Sequence, residues 1–129
     1  MMAAAWFLIV AALTHSFADA AELEEYKVKL AFIFNFARFI EWPDQSFREG
    51  DSQFRLCVLG DDPFEGKLGT IESKMVGDRK FSVRRIRRAE EARDCQMLFI
   101  ATSEQDRINQ ILQALKGYSV LTISDISNF

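Results

Sequence analysis

The sequence contains very little histidine and cysteine. Its single histidine, His15, lies among the first 20 residues, and the 129 residues include two cysteines, Cys57 and Cys95. If the first 20 residues are removed, histidine is excluded as a general base, as the partner of a nucleophile and as a metal ligand. Two thiols without histidine or clustered carboxylates do not complete a zinc site, so we predict neither a metal nor a cofactor.

Motifs for catalysis and for phosphate binding are also missing. There is no Gly-x-Ser-x-Gly motif and no phosphate-binding glycine loop, and the serines have no identifiable base in a motif around them. The formal net charge of −3 provides little attraction for nucleic acid. We therefore predict a protein that is not an enzyme and does not bind nucleic acid.

The first 20 residues differ from the rest of the chain. They have no lysine or arginine, a short apolar run at 3–12, and the small-x-small site Ala18-Asp19-Ala20 before a charged segment. This pattern is typical of a secretory signal peptide. We predict a signal peptide at 1–20, cleavage between Ala20 and Ala21, and one domain at 21–129. An uncleaved anchor is the alternative, because the terminal amine is the only positive charge at the N-terminus.

The segment 30–43, LAFIFNFARFIEWP, is the most apolar part of the remaining chain. It is too short to span a membrane, which takes about 20 apolar residues, and Pro43 is expected to end the helix. Helical spacing gives two apolar stripes. We expect one to pack on the protein's own sheet: Tyr26, Leu30, Ile33, Ala37 and Ile40. We expect the other to be an interface with a partner: Phe32, Phe36 and Phe39, with Trp42 nearby. A core helix covered on both sides within the domain is the alternative.

The rest of the chain alternates between strand and helix patterns. The strands are predicted at 54–59, 80–86, 97–101 and 120–123, with a short helix at 64–73 and a helical turn at 89–93. A further helix is expected after Thr102 or Ser103 as its N-cap, with Gly117 as its C-cap. This order predicts an α/β fold, a small Rossmann-like parallel or mixed sheet that is flanked by helices and preceded by the N-terminal helix.

Both cysteines belong to the predicted domain. An even number of cysteines in an exported chain predicts a disulfide, here between Cys57 and Cys95, and two buried free thiols are the alternative.

The charged residues suggest two candidate sites. Four arginines, Arg84, Arg85, Arg87 and Arg88, form a candidate basic patch for an acidic protein surface or an anionic ligand, and a solvated strand face is the alternative.

The loops after two predicted strands are candidate ligand loops, with Gly60 and Asp61 in one and Ser103 and Glu104 in the other. The acidic pair at 61–62 is like that of receiver domains, but arginines follow the second strand where a receiver needs its phospho-accepting aspartate. A simple turn is the other interpretation of 61–63.

Four segments together resemble the YfiR family of bacterial periplasmic proteins: KLAFIFNFARFIEWP (29–43), RLCVLGDDPFEGKL (55–68), CQMLFIATSE (95–104) and VLTISDISNF (120–129). The resemblance implies an α/β fold, a periplasmic location and a bridged pair at Cys57 and Cys95. It also implies repression of a membrane diguanylate cyclase, and so of cyclic di-GMP signalling, by binding the periplasmic portion of the cyclase. An outer-membrane lipoprotein would relieve that repression by sequestering the repressor.

The end of the chain departs from the family pattern. That pattern continues past Phe129 with a glycine-rich turn, two strands and a closing helix, so we expect a C-terminally truncated domain, or a homodimer that covers the last strand. The alternative function is a periplasmic small-molecule sensor that binds its ligand at the loops around Gly60 and Ser103.

Overall fold

The structure is a computed structural model that describes residue 21 and residues 24–129. The predicted signal peptide at 1–20 lies outside the described residues. Helix α1 covers residues 24–39. The elements that follow are β1 (Gln53–Leu59), β2 (Met75–Val76), β3 (Arg79–Ile86), β4 (Met97–Ile100), α2 (Ile108–Ala114) and β5 (Leu121–Ser124). Short 3₁₀ helices lie at Asp44–Ser46, Lys67–Thr70, Ala89–Asp94 and Thr102–Arg107.

The five strands form one mixed sheet in the order β2-β3-β1-β4-β5. Strand β1 is central and pairs in parallel with both β3 and β4, so that Leu56 faces Val83 on one side and Met97 on the other. Strand β5 pairs in parallel with β4, and only β2 is antiparallel, in a hairpin with β3. Parallel strands joined through helical segments, after an N-terminal helix, confirm the predicted α/β class.

The sheet is covered on both faces because its central strands alternate between two apolar clusters. Leu56 and Val58 of β1 pack under α1, whereas Cys57 and Leu59 pack with α2 on the opposite face. All four residues of β4 are buried. This explains why β4 reads as an uninterrupted apolar run in the sequence.

Helix α1 packs on the sheet through most of its aliphatic stripe. Leu30, Ile33 and Ala37 are buried, but Ile40 is 37% exposed, so its predicted place in the buried stripe was wrong. The reason is that α1 ends at residue 39, before Pro43. The indole Nε1 of Trp42 folds back and donates to the carbonyl of Ala37 at 2.9 Å, which satisfies one of the free carbonyls at the helix end.

Two predicted helices are shorter than expected. The segment 64–73 contains only the 3₁₀ turn Lys67–Thr70, preceded by Gly66 in the left-handed region at φ 77°. The helix after β4 starts as the 3₁₀ helix Thr102–Arg107 and has no side-chain N-cap. The predicted cap, Thr102 or Ser103, was wrong because Ala101 occupies the N-cap position. The hydroxyl of Ser103 instead accepts a hydrogen bond from the backbone N–H of Asp61, at 2.9 Å.

Candidate functional site

The three phenylalanines of the second stripe share an exposed flank of α1, next to β5. Phe32, Phe36 and Phe39 are 57%, 42% and 75% exposed, respectively. The rings of Phe32 and Phe36 are roughly parallel, with centroids 6.3 Å apart. Trp42 does not share this surface, because it is half-buried and its ring lies against that of Phe54, with centroids 5.0 Å apart. We call Phe32, Phe36 and Phe39 the aromatic stripe.

An apolar groove runs beside the aromatic stripe, between α1 and β5. It has a volume of about 350 Å³, and Phe32, Phe36, Phe99 and Ile123 supply much of its lining. Strand β5 is the last strand of the sheet and its four residues are only half-buried. The stripe and the groove therefore form one continuous apolar surface that the described residues leave open.

An ion pair lies at one end of this groove. The Lys29 ammonium bonds the carboxylates of Glu25 at 2.9 Å and Asp125 at 3.0 Å. Burial lowers the pKa of Lys29, but the hydrogen bonds that its ammonium donates to these two carboxylates, together with their charges, outweigh burial and leave the pKa of Lys29 raised. The other oxygen of Asp125, Oδ1, is buried without a hydrogen-bond partner in the part of the chain that the structure describes.

The predicted basic patch is partly neutralised by carboxylates of the same chain. Arg85 donates through Nε and an Nη to one oxygen of Asp62, at 3.1 and 3.0 Å. The backbone N–H groups of Arg88 and Arg87 donate to Glu91, at 2.9 and 3.1 Å, and hold the pKa of Glu91 below its usual value. The Arg88 guanidinium lies 3.7 Å from Glu90. Arg84 is exposed.

The predicted ligand loops lie side by side at the carboxyl ends of β1 and β4. Gly60 has φ +94°, and a Cβ built on it would be 2.5 Å from the Ser103 hydroxyl and 2.8 Å from Glu104, so the two loops are closely packed. A pocket of about 450 Å³ remains beside them, lined in part by Asp61, Arg85, Arg87 and Arg107. Within this pocket, Arg107 is paired with Glu104.

A disulfide joins Cys57 of β1 to Cys95, which precedes β4, as predicted. Their Cα atoms are 6.0 Å apart, inside the usual range for a bridge. Both residues are buried between the sheet and α2. The bridge therefore joins β1 to the residue that ends the 3₁₀ helix before β4, the neighbour of β1 in the sheet.

One structural residue was not predicted at all. Gln96 is fully buried, and its side chain accepts a hydrogen bond from the backbone N–H of Arg55 at 2.6 Å and donates one to the carbonyl of Ser46. Its own backbone bonds Arg55 and Leu121, so it connects β1, β4 and β5. A polar residue beside an apolar run is the only sequence signal for this role.

The comparisons with known proteins identify one family. A family model described as YfiR/HmsC-like matches residues 26–129, which is most of the chain. No curated protein matches the sequence. Among the residues that the structure describes, no helix is both long and apolar enough to cross a membrane.

Proposed function

We infer the function from the family: the chain belongs to the YfiR/HmsC-like family, whose members are periplasmic, non-catalytic regulators of diguanylate cyclase signalling. From this premise we propose that the protein represses a membrane-bound diguanylate cyclase by binding the cyclase's periplasmic portion. Residues 1–20 direct export, and 21–129 act as one domain. N-terminal sequencing of periplasmic protein tests the export step: a start at Ala21 is expected, and an intact Met1 contradicts it.

The aromatic stripe is the observation that carries the proposed mode of action. Aromatic side chains are enriched at the centres of protein interfaces. Burying a phenylalanine is worth about 1.5–3 kcal/mol relative to leaving it exposed, so three rings together supply enough energy for a specific contact. The stripe lies on a helix whose other side belongs to the core, which holds the rings on a rigid support. Binding the cyclase here therefore needs no rearrangement of the domain.

The polar end of the apolar groove adds specificity to this contact. The paired Lys29 ammonium and Asp125 carboxylate border the groove at this end. A partner segment with apolar side chains and a polar group at its end therefore fits the groove.

The two other proposed partners, an outer-membrane lipoprotein and a second copy of the chain, bind the same surface. An outer-membrane lipoprotein that covers the aromatic stripe relieves repression, because the cyclase and the lipoprotein then compete for one surface. Without either partner, two copies of the chain pair through their stripes as a homodimer. Size-exclusion chromatography with light scattering tests the homodimer: Phe36→Asp should give a folded monomer where the wild type is a dimer, and a wild-type monomer contradicts pairing.

Capture of the partner tests the proposed function directly. Tagged wild-type protein is used as bait on solubilised envelope membranes, and the bound proteins are identified by mass spectrometry. We expect a membrane diguanylate cyclase with the wild type and its loss with Phe36→Asp. Leu112→Asp is the matched control, because Leu112 is 39% exposed, close to the 42% of Phe36, but lies on α2 on the opposite face of the sheet. Equal capture by Phe36→Asp and wild type contradicts the assignment of this surface.

A second candidate function is sensing of a small molecule at the ligand loops, and the pocket beside Gly60 and Asp61 favours it. Open α/β sheets bind ligands at the carboxyl ends of strands that lead to opposite sides of the sheet, as β1 and β4 do here. A thermal-shift screen with metabolites tests this function. A shift that Arg87→Ala abolishes supports it, and a screen without any shift contradicts it.

A further inference from the structure

A second groove lies on the other flank of α1, away from the aromatic stripe. It runs between α1 and the segment 67–74, with a volume of about 450 Å³, which falls within the range of about 300–1,000 Å³ of small-molecule pockets. Its lining includes three lysines, Lys27, Lys67 and Lys74, and no acidic residue. We call it the basic groove.

The charge of the basic groove is not balanced locally. Lys27 is paired with Glu24 at 3.1 Å, but within 24–129 neither Lys67 nor Lys74 has a carboxylate within salt-bridge distance. The Lys74 ammonium lies over the ring of Phe34, 5.2 Å from its centroid, and the guanidinium of Arg38 lies 5.7 Å from the same centroid. The whole sequence has 19 acidic and 16 basic side chains, so this concentration of cations does not follow from composition.

The floor of the basic groove is apolar. Leu30 and Ile71 close it off from below, each only 5% exposed. The half-buried Phe34 and the exposed Ala31 supply its accessible apolar surface, with Asn35 and Thr70 also in the lining. An apolar surface bordered by unpaired ammonium groups is complementary to a molecule with the opposite arrangement, an apolar body that ends in an anion. A purely polar anion would leave the apolar surface in water, and a purely apolar molecule would desolvate the ammonium groups without compensation.

We propose that the basic groove is a binding site for an amphipathic anion, a small molecule with one carboxylate or phosphate group on an apolar body. The ammonium groups of Lys67 and Lys74 bind the anionic group, and the accessible apolar side chains, Phe34 and Ala31, contact the apolar body. The site is distinct from the aromatic stripe and from the pocket at the ligand loops. It shares α1 with the aromatic stripe, so one helix contacts both a small molecule and a protein partner.

Three probes used below their micelle concentrations separate the contributions of charge and apolar surface. Decanoate has both features, decyltrimethylammonium has the same chain with the opposite charge, and inorganic phosphate has the charge alone. Affinity is measured by calorimetry, and the site is located by amide chemical shifts of ¹⁵N-labelled protein. We expect decanoate to bind at least tenfold more tightly than either other probe, with its largest shifts in 27–38 and 67–74.

Charge-reversal variants give the matched control. The double substitution Lys67→Glu and Lys74→Glu should weaken decanoate binding at least tenfold. The double substitution Lys80→Glu and Lys116→Glu has the same change in net charge at exposed lysines outside the groove and should leave affinity unchanged. All four lysines are exposed, so both variants should fold, with at most a small decrease in Tm from Lys74→Glu, which removes the ammonium that lies over the ring of Phe34. Equal weakening in both variants, equal binding of inorganic phosphate, or shifts confined to Phe32, Phe36 and Ile123 would overturn the proposal.

Discussion

Removal of the disulfide should destabilise the domain strongly without changing any exposed surface, because both cysteines are buried. The bridge between Cys57 and Cys95 spans 38 residues. A loop of that length restricts the unfolded chain by about 4 kcal/mol in the chain-entropy model, a large share of the roughly 5–15 kcal/mol that stabilises a typical domain. Since 1 kcal/mol shifts the melting temperature of a domain of 60–100 residues by about 4–8 °C, Cys57→Ala should lower Tm by about 15–30 °C.

The pattern across three variants separates loss of the bridge from loss of packing. Cys57→Ala, Cys95→Ala and the double variant should melt at similar temperatures, because the bridge is lost once in each. Thermal denaturation followed by circular dichroism measures this, without reductant. Additive effects of the two single substitutions, or two thiols that react in native wild-type protein, would refute the reasoning. Both sulfurs are buried, so we also expect the wild-type bridge to resist reductant until the protein unfolds.

Three further predictions concern the fold around the sites. Gln96→Leu leaves the Arg55 N–H and the Ser46 carbonyl unpaired, so urea denaturation should show a loss of about 1–3 kcal/mol for each group; no loss would mean that water replaces the amide. Gly60→Ala combines a positive φ with a Cβ 2.5 Å from the Ser103 hydroxyl and should cost about 1–3 kcal/mol; an unchanged Tm would contradict the close packing of the two loops. The pKa of Asp51 is lowered, mainly by the hydrogen bond that Arg55 donates to it. The ionised Asp51 carboxylate therefore stabilises the fold above about pH 4, and this stabilisation is lost as the pH falls further through the lowered pKa. Asp51→Asn should therefore be less stable than wild type at pH 7, with a difference that shrinks in acid; a difference that stays constant with pH would exclude the carboxylate as its cause.

Local patterns predicted the elements whose burial is regular along the chain. The aliphatic stripe of α1 was predicted because one side of the helix packs on the sheet, which gives a regular helical spacing of apolar residues. The apolar run of β4 was predicted because this strand is covered on both faces, so all four of its residues are buried. Strand β2 was missed because its two residues are too few to show any periodicity. The helix end at residue 39 was missed because Pro43 indicates only that the helix stops before it, whereas the hydrogen bond from Trp42 to Ala37 at the helix end depends on a side-chain conformation that spacing does not predict.

The sites depend more strongly on contacts between distant residues. The side chain of Gln96 bonds groups 41 and 50 residues away, so no spacing rule could identify it. The pairing of Arg85 with Asp62, which partly neutralises the predicted basic patch, joins residues 23 positions apart. The basic groove likewise combines Lys27 of α1 with Lys67 and Lys74 of a separate segment. The aromatic stripe, in contrast, is local to one helix and could be predicted as a unit.

Cyclic di-GMP in living cells tests the central claim most directly. A strain that lacks the gene is complemented with wild type, Phe36→Asp or Leu112→Asp, each checked for equal periplasmic amounts and for folding, and the nucleotide is quantified by mass spectrometry. The account predicts high cyclic di-GMP in the deletion strain, low levels with wild type and Leu112→Asp, and high levels with Phe36→Asp. Unchanged cyclic di-GMP in the deletion strain, or full repression by Phe36→Asp, would contradict it.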